Sequence, residues 1–325
     1  MTSQPTARVI RESKRPALFF ANGIGDTILA VPAIRALAGL FHGRLALICD
    51  QNVRAPLLSD IEFRQVAEAP MTRNVPDWTR EFDAALVARA IGPCDLFISL
   101  VPWWSNSLEQ LLRLLDPEHS AGFFPSFRWQ VELNFRQHAA DLSFQIPLTL
   151  DASLRIDDYA APLRLAPSAW RAAKRIRRAI PSTYRLLIVH ADTGPPKMWP
   201  AHRFVAVLDA FLDRHLDVIV ILIGGSPQPL DQGRQAARII PSYGLRLERA
   251  LALVGLADMF LGVDSCMLHA ADLFRVPSVG LFGDSSPLEF GFRFSEDSIV
   301  CAGTSMLGIT VASVAQALDR LSAGQ

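Results

Sequence analysis

"LALVGLADMFLGVDSCMLHAADLFRVPSVGLFGDSSP", residues 251–287, reads as helix, strand, turn, helix, strand, turn. "MFLGV" and "SVGLF" are short, apolar and closed by Asp, Ser or Gly. "VDSCMLH" joins the first of them to a helix carrying His269 and Ala270. That rhythm is the signature of a parallel sheet covered by helices, an α/β fold. At such a strand end Asp264 can orient a sugar hydroxyl, while Ser265 and the N–H groups of Cys266 and Met267 can face a phosphate. The same residues also fit a capping aspartate and a hydrogen-bonded core histidine.

Working outward, the rhythm recurs. "RLLIVHA" (185–191) and "DVIVILIGG" (217–225) precede it, and "ALFFAN" (17–22), "LALICD" (45–50), "ALVARA" (85–90) and "DLFISL" (95–100) are expected strands of the first half. Two successive α/β halves predict two Rossmann-like domains, 1–165 and 166–325, with a central cleft and ligands outside the strand carboxyl ends. Residues 144–170, which carry Pro147, Pro162 and Pro167, read as the linker, followed by a basic helix in "SAWRAAKRIRRAI". The tail "TVASVAQALDRL" has the spacing of a packed helix.

Half of the 325 residues are apolar, enough for a substantial core. Lys plus Arg equals Asp plus Glu at 32 each, which argues against a nucleic-acid partner and against strong attraction to anionic membranes. Cys49, Cys94, Cys266 and Cys301 are scattered, so neither a zinc site nor a disulfide framework is expected. The first twenty residues lack the apolar core of a signal peptide, and no stretch is expected to reach the roughly 18 apolar residues of a membrane span. A cytoplasmic protein is expected, with peripheral contact to the inner membrane if its substrate is membrane-borne.

"FFANGIGDTILAVPAIRAL" (19–37) places Gly23, Gly25 and Asp26 between a strand and a helix. With Asp50 at the end of the next strand it invites a nicotinamide reading. Ile28 replaces the third glycine, however, and Asp26 puts negative charge where a pyrophosphate would sit. The local alternative is a tight turn with Asp26 as helix cap. "HADTGPPKMWPAHRF" (190–204) puts Lys197 in a Gly/Pro loop before a helix whose first turn holds Pro200, a suitable place for a diphosphate.

Together these stretches resemble glycosyltransferase family 9, the bacterial heptosyltransferases of GT-B fold. "GIGDTILAVPAIRAL" is similar to the family's "GD…P…LR" segment, "PPKMWPAHRF" to its "K.WP…F" segment, and "ADMFLGVDSCMLHAADLFRVPSVGLFG" to its "AD…G.D(S/T)G..H.A" signature. "LGITVASVAQAL" is similar to its terminal helix. The resemblance implies an inverting, metal-independent transfer of a heptose-like sugar from a nucleotide diphosphate donor, ADP-heptose by preference, with no cofactor. The acceptor would be a hydroxyl of a glycan, a lipid-linked sugar or a small molecule, as in lipopolysaccharide biosynthesis.

By the same resemblance the first domain holds the acceptor and the second the donor, and Asp26 is the general base. Asn22, Gly25, Trp103 and Trp104 are the acceptor-side candidates. Thr193, Lys197, Ser226, Asp264, Ser265, Cys266, Met267 and His269 are the donor-side ones, Lys197 and the helix N-terminus offsetting the charge of the leaving diphosphate. No DxD metal motif stands at a strand end, since Asp157 and Asp158 fall in the linker.

Three departures qualify the match. Cys266 replaces the family's glycine after the D(S/T) pair, adding a side chain where backbone should approach phosphate. Ser226 and Pro227 stand where relatives carry an acid near the nucleoside. "SLVPWWSNSLEQLL" (99–112) replaces a "QG…(K/R)S" pattern, so Trp103 and Trp104 either stack on an acceptor or pack within their loop. A catalytically silent binding homologue and a nicotinamide enzyme are the alternatives these departures leave open.

Overall fold

The computed structural model describes residues 7–73 and 80–324. The chain divides into two compact units between Ala161 and Pro162, rather than at 165/166.

Unit 1 contains helix α1 (Ala7–Glu12), strand β1 (Pro16–Phe20), α2 (Ile24–Phe41), β2 (Ala46–Cys49), α3 (Arg54–Leu57) and β3 (Gln65–Glu68). It continues with β4 (Thr72–Arg73), β5 (Arg80–Glu81), α4 (Ala84–Ile91), β6 (Leu96–Ser99), α5 (Asn106–Leu115), β7 (His119–Gly122), β8 (Trp129–Gln130) and α6 (Ala139–Leu150). Its main sheet is parallel, in the order β3-β2-β1-β6-β7-β8, and β4 pairs with β5 antiparallel.

Unit 2 contains α7 (Pro167–Arg178), β9 (Arg185–His190), α8 (Ala201–Arg214), β10 (Val218–Ile223), β11 (Ile239–Pro241), α9 (Leu247–Val254) and β12 (Met259–Val263). α10 (Cys266–Leu273), β13 (Ser278–Phe282), α11 (Pro287–Phe290), β14 (Ile299–Ala302) and α12 (Val311–Ala323) complete it. Its sheet is also parallel, in the order β11-β10-β9-β12-β13-β14. Counted along the main strands, both sheets follow the doubly wound order 3-2-1-4-5-6, so each has one switch point: β1/β6 in unit 1 and β9/β12 in unit 2.

The central strands form because both sheet faces are covered, which favours unbroken Val, Ile and Leu runs. In unit 2, Leu187 and Val189, Val218, Val220 and Leu222, and Leu261 and Val263 share one core with Phe204, Leu208 and Phe211 of α8. The residues between them, Leu186, Ile188, Ile221 and Phe260, are equally buried.

Four expectations need correction. "ALVARA" is not a strand but part of α4: Asp83 Oδ1 accepts the N–H of Leu86 at 2.8 Å, Ala84, Val87 and Ile91 are buried, and Gly92 ends the helix. The inward positions recur at helical spacing, which a six-residue apolar window conceals. The first part of the expected linker, 144–150, belongs to α6, which packs on α2 and keeps Pro147 inside the helix. Finally, α2 is an 18-residue helix long and apolar enough to cross a membrane by length and composition, but 61% of that window is buried within unit 1. Pro200 also falls one position early, at the N-cap of α8.

Candidate functional site

The "PKMWP" segment folds around its tryptophan. Trp199 is 2% exposed, packs edge-on against Phe204 and donates its Nε1–H to the carbonyl of Ile309 at 3.1 Å. With Trp199 anchored, the 3-10 turn Pro195–Lys197 aims Lys197 back toward the end of β12. There Lys197 Nζ lies 2.5 Å from Asp264 Oδ2, and His269 Nε2 stands 3.4 Å from Oδ1 of the same carboxylate. The ammonium also sits 5.6 Å from the centre of the Phe290 ring.

Asp264 is 2% exposed, whereas Lys197 keeps 40% of its side chain open to solvent. Burial works against the ionised carboxyl, but His269 and then Lys197 outweigh it and hold the group well below the usual carboxylate range. Both carboxylate oxygens are therefore engaged. This geometry suits Asp264 to hold Lys197 and His269 in place, and leaves little of it to orient a sugar hydroxyl. His269 is buried, and its Nδ1 has no partner among the described residues.

Beside this cluster a pocket of about 420 Å³ opens at the carboxyl ends of β9 and β10 and the start of α10. Ligand pockets commonly have this size, and a switch point is their usual place. Its walls include Asp192, Thr193, Ser265, Cys266 and Met267, together with the two glycines of the turn after β10, Gly224 and Gly225. Thr193 Oγ1 donates to the carbonyl of Asp264 at 3.3 Å, tying pocket and cluster together. Ser265 is the N-cap of α10, yet its Oγ meets His190 Nδ1 at 3.1 Å instead of capping the helix. Burial lowers the His190 pKa to about 4, keeping the ring neutral. Burial also raises the Cys266 thiol to about 11, which makes it a wall and no nucleophile. The far part of α10 is fixed by Asp272, 1% exposed, whose carboxylate accepts the N–H groups of Arg293, Phe294 and Ser295 at 3.0, 2.9 and 2.8 Å.

Of the donor-side candidates, Thr193, Ser265, Cys266 and Met267 line the pocket, and Lys197, Asp264 and His269 form the adjoining cluster. Ser226 lies outside the lining: it is exposed, and its N–H is given to Asp192 Oδ2 at 3.3 Å. Asp192 and His190 were not among the expected residues. The readable signal was their place at the end of β9, immediately before Thr193.

In unit 1, Asp26 is the third residue of α2, half-buried, with no hydrogen bond or ion pair to its carboxylate among the described residues. It does not cap the helix, since the N-cap is Gly23. Asn22 is buried, and its Oδ1 accepts from Gly23 N–H at 2.9 Å and Arg80 Nη1 at 2.5 Å. Gly25 is half-buried in the first turn. Trp103 packs edge-on against Phe19 with the Arg80 guanidinium 5.2 Å from its ring centre, and Trp104 packs against Phe124 and Phe127. Both indoles are thus largely spent on packing. Asp50 Oδ1 accepts from both the N–H and the Nδ2 of Asn52, closing a local turn after β2.

The family model of glycosyltransferase family 9 (heptosyltransferase) matches residues 112–307. No curated protein matches the sequence. Among solved structures, a family 9 glycosyl transferase from Veillonella parvula is similar with a TM-score of 0.76 at 18% identity, over 96% of this chain and 98% of that one. E. coli heptosyltransferase WaaC with ADP is similar at 0.66 and 15%, over 94% and 99%. The dodecameric iron-containing heptosyltransferase TibC of E. coli, in complex with ADP-D-beta-D-heptose, is similar at 0.58 and 17%, over 96% and 77%. At these identities the likeness speaks for the fold: two Rossmann-like units of GT-B type.

Proposed function

Because this chain belongs to glycosyltransferase family 9, the heptosyltransferases, and is a glycosyltransferase, we propose that it transfers a heptose-like sugar from ADP-heptose to an acceptor hydroxyl with inversion and without a metal ion. The observation that carries the reading is the cluster of Lys197, Asp264 and His269 beside the pocket at the β9/β12 switch point. An ammonium held by a buried carboxylate, next to a helix N-terminus, is suited to a leaving diphosphate.

In the proposed step the acceptor oxygen attacks the anomeric carbon from the face opposite the diphosphate. Its proton passes to Asp26, the new C–O bond forms, and the electron pair of the broken bond leaves on the diphosphate. Asp26 suits the role of base because no described residue occupies its carboxylate.

The donor class is supported by two similar structures, WaaC with ADP and TibC in complex with ADP-D-beta-D-heptose. Metal independence rests on Lys197 and the α10 N-terminus taking the charge. Among the described residues no three His, Cys, Asp or Glu side chains gather as ligands. TibC contains iron, so a chelator arm belongs in the test. The acceptor is a glycan, a lipid-linked sugar or a small molecule, and the setting is the cytoplasm, with peripheral contact to the inner membrane for a lipid-linked acceptor.

Calorimetric titration with ADP, on the protein and on Lys197→Ala, tests the donor site. Micromolar binding weakened by the substitution supports it, and no binding removes ADP as the donor nucleotide. Turnover of ADP-heptose that survives exhaustive EDTA treatment supports the metal-free step. Loss of turnover that added metal restores would overturn it.

A further inference from the structure

The pocket in unit 2 is lined by one acid, Asp192, which carries no role in the reading above. Asp192 follows β9, and its Oδ2 accepts the N–H of Gly225 at 2.7 Å and of Ser226 at 3.3 Å. The carboxylate comes this close to the turn after β10 because two glycines stand there. A Cβ on Gly224 would meet the Asp192 Cβ at 3.1 Å, and one on Gly225 would meet Oδ2 at 3.2 Å. Asp192 is half-buried, it is the acid among the pocket-lining residues, and its Oδ1 has no partner among the described residues.

Resting on the nucleotide-sugar reading, we propose that Asp192 is the specificity residue for the ribose of the donor nucleotide, Oδ1 accepting from its 2′- and 3′-hydroxyls. An ionised carboxylate only accepts hydrogen bonds, and a vicinal diol offers two donors. The same charge repels phosphate, so it orients the ligand as well. The diphosphate lies toward Lys197 and the N-terminus of α10, and the ribose toward the turn after β10. The chain thus supplies from β9 the acid that Ser226 does not supply from β10. A nucleotide phosphorylated on its ribose is rejected by the same group.

The test compares the affinities of ADP and 2′,3′-dideoxy-ADP, by calorimetry, for the wild type, Asp192→Asn and Asp192→Ala. The wild type is expected to favour ADP by about tenfold or more, and both variants to bring that ratio within about threefold of unity. A role confined to holding the turn would weaken both nucleotides alike and leave the ratio unchanged, which overturns the proposal. Equal affinity of the wild type for the two nucleotides overturns it without any variant and leaves the ADP site standing. If neither nucleotide binds the wild type, the ADP site and the Asp192 assignment fall together.

Discussion

The two units share one strand order and spend their switch points differently. At β9/β12 the turn residues are tied to one another: Lys197, Asp264 and His269 form one cluster, and Asp192 is bonded to the turn across the pocket. At β1/β6 the turn is surrounded by aromatic packing, and its one carboxylate, Asp26, is unclaimed by any described residue. A site that must hold a fixed charge distribution gains from charges that fix one another, because paired groups need no reorganisation when the ligand arrives. A group that must collect a proton gains from having an acceptor lone pair free.

Substitutions at the two switch points should therefore fail in opposite ways, and the largest effect is expected in unit 1. Asp26→Ala should lower kcat by about a thousandfold while ADP affinity stays within about twofold of the parent. Steady-state turnover alongside calorimetry reads both quantities. Near-normal turnover would remove Asp26 as base and erase the contrast.

Acidification should separate the units by stability. His190 in unit 2 has its pKa depressed from 6.5 to about 4 by burial, so between these values the unfolded chain binds more protons than the folded one. Stability contributed by the neutral ring is complete above pH 6.5 and is lost as pH falls toward 4, on the order of 3 kcal/mol. In unit 1, Asp95 is held below 3.8: burial raises it, but the Ser13 hydroxyl and the N–H groups of Lys14 and Arg15 outweigh that. Its contribution is lost only at more acidic pH. Hydrogen exchange at pH 5 should show unit 2 opening first, and His190→Asn should flatten the difference.

Smaller effects sharpen the picture of the donor side. Lys197→Ala should weaken ADP binding by about tenfold and lower thermal stability, because Asp264 stays buried with half its partners gone. An unchanged melting temperature would contradict the coupling between Lys197 and Asp264. Cys266→Gly should tighten ADP by about two- to threefold by letting backbone approach the diphosphate, a change that calorimetry resolves. Weaker binding would mean that the thiol is a contact.

The strands around each switch point were legible in sequence because burial on both faces writes unbroken apolar runs, as in "VIVILI" and "MFLGV". The edge strands β3, β8 and β11 were not, since they are short and partly exposed. α4 was misread because its periodicity emerges only with Asp83 and Gly92 included, and α6 because Pro147 resembles a break. On the donor side, the residues that stand together within one motif were visible. Asp192 was missed because the N–H groups it holds are 33 and 34 residues away in sequence. The engagement of both Asp264 oxygens likewise appears only when Lys197, 67 residues distant, reaches the end of β12.

The seam at Ala161 and Pro162 has a consequence for how such chains diversify. Each side of it carries a complete sheet with its own covering helices and core. A crossover there joins two finished halves instead of splitting one. Lineages could thus exchange the half proposed to choose the acceptor while keeping the half proposed to read the donor. Chimaeras cut at this seam are where a laboratory could repeat that history.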